Sequence, residues 1–219
     1  MSMTTTLRFP RGLYGITPEW DDTTKLLTAI RAAHEGGMQV LQWRRKLAPQ
    51  PLHLAQRHAV QQLCADLALP LIINDNWQAA RDLGCAGAHL GRDDGALAEA
   101  RAGLQPTQWL GSTCYDLLNR AEQALKLDVD YVAFGAVYPS SIKPNAPRAT
   151  VDILRQGRAL CEQFSTDHRA AVVAIGGITA QNAAPLIDAG VDSVAVISSL
   201  FDAPDIYAEA RAFSRLFNS

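Results

Sequence analysis

Short apolar runs recur along the chain, each followed by a longer stretch in which apolar residues return every three or four positions. The runs are Leu13–Thr17, Val40–Arg44, Leu71–Asn74, Ala88–Leu90, Trp109–Ser112, Tyr131–Phe134, Val172–Ile175 and Ser193–Ile197. They are nearly continuous in apolar character rather than alternating, as strands buried on both faces of a parallel sheet must be. The stretches between them read as amphipathic helices. Over Thr23–Glu35, the residues Leu26, Leu27, Ile30 and Ala33 form one stripe, with Asp21 or Thr23 placed to cap its start. The same spacing predicts helices over Leu52–Leu67, Leu117–Leu127, Val151–Phe164, Gln181–Ala189 and Asp205–Phe217, and shorter ones over Trp77–Leu83 and Ala96–Ala102.

Strand–helix pairs repeated along the whole chain, with no break in composition, predict a (β/α)8 TIM barrel, an α/β fold of one domain. The domain is expected to span residues 1–219, with Met1–Pro10 as an N-terminal tail. A doubly wound open sheet also alternates strand and helix. However, no G-x-G-x-x-G turn follows the first strand, and no G-x-x-x-x-G-K-[ST] loop is present. The longest irregular stretch, Gly135–Thr150, carries Pro139, Pro144 and Pro147 and reads as a functional lid or a disordered loop.

Composition narrows the class. The 219 residues carry a formal net charge of -2, with Lys and Arg scattered, so no nucleic-acid partner is expected. The first ten residues lack the apolar core of a secretory signal, and runs such as Ala170–Ile175 are far too short for a membrane span. Cys64, Cys85, Cys114 and Cys161 are widely spaced, which suits small buried thiols in a reducing, cytoplasmic compartment better than a zinc site or a disulfide framework.

In such barrels the chemistry sits at the carboxyl ends of the strands. Gln42 and Arg44 stand there after the second strand and Asn74-Asp75-Asn76 after the third. His89 through Asp94 follow the fourth strand, and Thr113 the fifth. Ser140 and Lys143 follow the sixth, Gly176-Gly177 the seventh, and Ile197-Ser198 the eighth. Asp75 and Asp94, on neighbouring strand ends, could share one magnesium ion, which needs only one or two carboxylates beside water and phosphate oxygens. Helix capping is the competing role, favoured for Asp93. Gly176-Gly177 before a helix start, together with Ile197-Ser198, fits a phosphate site built from backbone N–H groups. Arg44 and Lys143 would add positive charge, whereas Arg45, on the opposite face from Arg44, reads as solvated. His89 is evenly balanced between a structural and a ligand role; His34, His53, His58 and His168 read as surface residues. No Ser-His-Asp or Cys-His set can be assembled, which disfavours covalent catalysis.

At these residues the sequence resembles the thiamine phosphate synthase (thiamine-phosphate pyrophosphorylase) family. The markers LQWRRK, IINDN, GAHLGRDD, FGAVYPSSIKP, VVAIGGIT and VAVISSL stand in the family's order and spacing between Leu13 and Leu200. The resemblance implies a transferase that joins 4-amino-2-methyl-5-hydroxymethylpyrimidine diphosphate to a thiazole phosphate, releasing pyrophosphate. It implies that Gln42, Arg44, Asn74 and Thr113 meet the pyrimidine diphosphate, and that Asp75 and Asp94 hold Mg2+. It further implies that Ser140 and Lys143 meet the substrate, with Lys143 gripping the pyrophosphate, and that Gly177, Ile197 and Ser198 hold the thiazole-derived phosphate. Lys143 and Arg44 would be the catalytic cations. The partners implied are these two small molecules, with neither nucleic acid nor membrane, and pairing through outer helices into a homodimer is common among such barrels.

The chain departs from the family's pattern at Asn76, Arg92 and Ile142, and also at Thr113 and Ser140, which stand for Ser and Thr and keep the hydroxyl. Ile142 replaces a threonine, removing a bond to a charged group worth roughly 1.5–3 kcal/mol. Two other readings compete. A thiazole tautomerase relative lacks the aspartate pair and uses a histidine after the fifth strand, where this chain has Tyr115. A catalytically silent barrel that binds thiazole phosphate or thiamine phosphate is kept open by Ile142.

Overall fold

The computed structural model describes residues 6–47, 49–91, 96–139 and 148–218. Eight parallel strands close into a barrel: β1 (Gly12–Ile16), β2 (Met38–Trp43), β3 (Leu71–Asn74), β4 (Gly87–Leu90), β5 (Trp109–Tyr115), β6 (Tyr131–Gly135), β7 (Ala171–Ile175) and β8 (Ser193–Val196). The ring closes where β8 pairs with β1, Ser193 standing beside Gly12. Around it lie α1 (Thr23–Glu35), α2 (Gln50–Asp66), α3 (Trp77–Asp82), α4 (Leu97–Gly103), α5 (Leu118–Leu125), α6 (Val151–Gln163), α7 (Ala184–Asp188), α8 (Ser198–Phe201) and α9 (Ile206–Leu216). The predicted barrel is the observed fold.

Alternate residues of each strand serve two separate cores, which is why the strands read as unbroken apolar runs. Leu41, Trp43, Ile73, Leu110 and Val172 face outward into the layer between strands and helices. Tyr14, Val40, Ile72, Tyr131, Val173 and Ala195 fill the barrel itself. Phe9 belongs to this inner core, fully buried with its ring 4.2 Å from that of Tyr131. The expected tail over Met1–Pro10 is therefore corrected from residue 6 onward. Thr6 and Leu7 pair with His168 and Arg169 in a small parallel ribbon, and Phe9 plugs the amino end of the barrel. His168, expected as a surface loop residue, is half-buried in that ribbon.

The same end carries two buried carboxylates. Asp192 accepts from Arg169 at 2.7 and 2.8 Å and from the N–H of Val172 at 2.8 Å. Asp130 accepts from the N–H of Leu110 at 2.8 Å and faces Arg8 and Arg101. These ties stand at the amino ends of the strands and so belong to stability rather than chemistry.

The helix boundaries differ from expectation in one place that matters. The predicted helix over Gln181–Ala189 is only Ala184–Asp188. Its first residues instead form a turn, because the Asn182 side chain accepts from the N–H of Thr179 at 2.8 Å. Pro185, which has no N–H to give to a preceding turn, sits at the start of the helix.

Candidate active site

Inward-facing side chains of the barrel interior form one hydrogen-bonded chain that runs from Tyr14 and Tyr131 to Thr113. Gln42 on β2 donates its side-chain N–H to the Tyr14 hydroxyl at 2.8 Å, and the Tyr14 and Tyr131 hydroxyls lie 2.9 Å apart. Tyr131 lies 3.0 Å from Nδ1 of His89, and Nε2 of His89 lies 2.7 Å from the Thr113 hydroxyl. Burial pushes both phenols well above the ordinary tyrosine value, so each keeps its single proton. In the arrangement that leaves no buried hydroxyl proton unpaired, the direction is set by Gln42, whose amide nitrogen can only donate, and by Tyr131, the neighbour able to accept from Tyr14. Tyr14 passes its proton toward Tyr131, and Tyr131 passes its own to Nδ1 of His89. In that arrangement a neutral His89 ring carries its proton on Nε2 and gives it to the Thr113 hydroxyl. Gly111 makes room for this arrangement: a Cβ there would run into the Tyr131 ring.

Asp75 follows β3 in a left-handed conformation, φ 66°, with its N–H bonded to the His89 carbonyl at 2.9 Å. Such a backbone is uncommon outside glycine, although aspartate tolerates it better than most residues. Capping of α3 falls to Asn76, which accepts from the N–H of Ala79 at 2.8 Å. The Asp75 carboxylate is thus released from the capping role and instead meets the Lys46 ammonium at 3.1 Å. Arg44 pairs with Glu19 at 3.6 Å, and its backbone is clasped by the Thr17 hydroxyl, which bonds both its N–H and its carbonyl at 2.9 Å.

Arg45 corrects the solvated reading. Its side chain is almost fully buried, donating to the Trp20 carbonyl and to Asp21, each at 2.7 Å. It lies on the outer side of the strand end, where the loop from Glu19 to Asp21 wraps over it.

On the far side of the mouth, Gly176 and Gly177 take φ 100° and 66°. A Cβ on Gly177 would strike the Pro139 carbonyl at 2.7 Å, so the segment after β6 lies directly over this turn. Asn182 holds the turn from below, donating to the Gly177 carbonyl at 3.1 Å. The helix start expected directly after the two glycines is displaced to Ala184, and Ser198 instead heads the short helix α8 beside Ile197. Both ends of the Gly135–Thr150 loop are tied: Ala149 is buried and bonds the Ala136 carbonyl, and Thr150 caps α6. Arg92, Asp93, Asp94, Ser140, Ile142 and Lys143 lie outside the described residues.

A family model described as thiamine monophosphate synthase matches residues 13–200. The chain belongs to this family. A thiamine-phosphate synthase of Bordetella pertussis is 52% identical over 213 residues, covering 97% of this chain and 98% of its own. One from Thiobacillus denitrificans is 47% identical over 213 residues, covering 95% and 96%. Among solved structures, thiamine phosphate pyrophosphorylase from Pyrococcus furiosus superposes with a TM-score of 0.79 at 28% identity, covering 96% of this chain and 97% of that one.

Of the residues the thiamine monophosphate synthase resemblance singles out, Gln42, Arg44, Asn74, Asp75, Thr113, Gly177, Ile197 and Ser198 all stand at or just beyond strand ends on one rim. Sequence reasoning passed over Lys46, Tyr14 and Tyr131. Lys46 carried a signal, standing two residues beyond Arg44 in a basic run that ends a strand. The two tyrosines carried none, being apolar-run residues whose hydroxyls matter only once the barrel closes. Among the described residues no group of three His, Cys, Asp or Glu side chains comes together as a metal cage. Asp75 nevertheless fits a magnesium site of the open kind, as a hard, half-exposed oxygen donor beside Asn76, which takes the capping of α3.

Proposed function

We propose that the chain catalyses the family's reaction, joining 4-amino-2-methyl-5-hydroxymethylpyrimidine diphosphate to a thiazole phosphate to give thiamine phosphate and pyrophosphate. The observation that carries this reading is the placement of Asp75 with Lys46 at the barrel mouth, to which the hydrogen-bonded chain through Tyr14, Tyr131 and His89 leads at Thr113. Gln42, Asn74 and the Thr113 hydroxyl would orient the pyrimidine diphosphate. Arg44 and Lys143 would hold its phosphates, Lys46 adding a further cation beside Asp75. Gly177, Ile197 and Ser198 would hold the phosphate of the second substrate, and Ser140 would contact substrate from the loop after β6. The C–O bond from the pyrimidine methylene to the diphosphate breaks, and the thiazole nitrogen supplies the pair for the new C–N bond. The chain need not supply a nucleophile; it holds two rings in line and meets charge developing on the leaving group. Asp75 with Asp94 would hold Mg2+, which when bound neutralises part of the diphosphate charge.

The test is direct. Mixing both substrates with Mg2+ should release one pyrophosphate per thiamine phosphate formed, and neither substrate alone should release any. Binding of the thiazole phosphate without pyrophosphate release would instead favour the silent barrel. We place the activity in the cytoplasm, where four free, buried cysteines are at home; no helix among the described residues is long and apolar enough to cross a membrane. Pairing of two barrels through outer helices is part of the same reading, and its mark would be a solution mass of twice the 23.7 kDa chain.

A further inference from the structure

A carboxylate stands among the cations that follow β2. Glu19, in the loop after β1, lies 3.6 Å from Nη1 of Arg44 and 3.6 Å from Nε of Arg45. It also accepts from the backbone N–H of Lys46 at 2.9 Å and from that of Leu47 at 3.3 Å. Its two oxygens thus reach every residue from Arg44 to Leu47, the first three of them basic. By charge alone the placement is unfavourable, because an anion here opposes the diphosphate that Arg44 and Lys46 would meet.

The loop that carries Glu19 is itself firmly held. Thr17 extends the pairing of β1 with β2, its N–H bonding the Gln42 carbonyl at 3.0 Å, while its hydroxyl clasps the backbone of Arg44. On the other side of Glu19, Arg45 donates to the Trp20 carbonyl and the Asp21 carboxylate, each at 2.7 Å. Gln56 of α2, fully buried, donates to the Trp20 and Asp21 carbonyls at 3.1 and 3.0 Å. Asp22 then caps α1, accepting from the N–H of Lys25 at 2.9 Å. Because β2 ends at Trp43, the residues beyond it are held by this loop: Thr17 fixes the backbone of Arg44, and Glu19 that of Lys46 and Leu47. Three adjacent like charges repel one another, and bonds from N–H groups to an ionised oxygen are of the stronger kind.

We propose that Glu19 is a positioning residue for the transfer reaction, holding the Arg44 guanidinium and the Lys46 backbone so that both cations face the diphosphate. The inference rests on the reading of Arg44 and Lys46 as diphosphate cations. Glu19 itself acts through these neighbours and not on the substrate. The geometry it enforces outweighs the opposing charge it brings, and that balance fixes the sign of the test.

Glu19→Gln keeps the shape and one acceptor oxygen but loses the charge and the second acceptor. Calorimetric titration of the full chain with pyrophosphate in Mg2+ reads the outcome. The variant should bind pyrophosphate about tenfold more weakly, although it has lost a repelling charge. Affinity for the thiazole phosphate should stay at the wild-type level. In an Arg44→Ala background the same substitution should cost no more than about threefold, since part of its action runs through that guanidinium. Equal or tighter pyrophosphate binding by folded Glu19→Gln protein would overturn the proposal, marking the carboxylate as a field effect only. Equal losses for both ligands would overturn it as general loosening, and an undiminished tenfold loss without Arg44 would remove the coupling. Wild-type protein that binds pyrophosphate but forms no thiamine phosphate would defeat the reaction reading alone, with the binding comparison still deciding the role of Glu19. Wild-type protein that binds no pyrophosphate would overturn both.

Discussion

Tyr131→Phe keeps the ring that Gly111 accommodates and removes only the oxygen joining Tyr14 to His89. Two buried partners are then left short, and we expect a loss of about 1–3 kcal/mol in unfolding free energy by denaturant titration. The Thr113 hydroxyl also loses its enforced direction, so kcat/KM for the pyrimidine diphosphate should fall roughly tenfold, equivalent to a loss of about 1.4 kcal/mol. Histidine 15N spectra give a reading free of turnover. The wild-type His89 ring should carry its proton on Nε2; a proton on Nδ1 would mean the chain runs the other way. Asp75→Ala, by contrast, should abolish turnover and weaken magnesium binding while leaving the His89 spectrum unchanged. Near-normal activity and magnesium affinity would remove Asp75 from the metal assignment. At this scale legibility depended on whether a residue's partner lay nearby in sequence. Asp75 and Gln42 were readable from their places at strand ends. His89 stayed undecided because its partner Tyr131 lies 42 residues away. Arg45 was misread because the Glu19–Asp21 loop that buries it leaves no mark in the periodicity of its own strand.

At the scale of elements, the strands were the most legible part. Burial on both faces leaves no polar alternation to confuse them, and all eight runs became barrel strands. The turn after β7 was the least legible, because Asn182 competes with helix formation by bonding the N–H of Thr179, a local contact that apolar spacing cannot register. The amino ends of the strands supply a stability prediction. Asp192→Ala would leave the buried guanidinium of Arg169 and the N–H of Val172 without their acceptor. Removing one partner of such a pair costs about 3–5 kcal/mol, seen as a lower melting temperature. Because Asp192 stands at the end remote from the mouth, KM values of the folded variant should stay at wild-type levels.

For the whole molecule, barrel closure places Phe9 as a plug at one end and the chemistry at the other, and it buries every cysteine. Burial pushes the Cys64, Cys114 and Cys161 thiols up to about 12 and Cys85 to about 11, from an ordinary 9.0. At pH 8 the folded chain should therefore resist iodoacetamide, whereas the unfolded chain should take up one label at each of its four cysteines. The sign for stability follows by linkage: the folded state holds these protons more tightly, so stability should fall as pH rises from 9.0 toward about 11 and 12. The central claim is that one barrel mouth gathers a divalent ion and a diphosphate at the ends of β2, β3 and β4. Crystals grown with pyrophosphate and Mn2+ as an anomalous stand-in for magnesium test it most directly. The account predicts a manganese peak bonded to both the Asp75 carboxylate and the pyrophosphate, within reach of Lys46 and Arg44. A manganese peak away from Asp75, or pyrophosphate bound elsewhere than at this mouth, would contradict it.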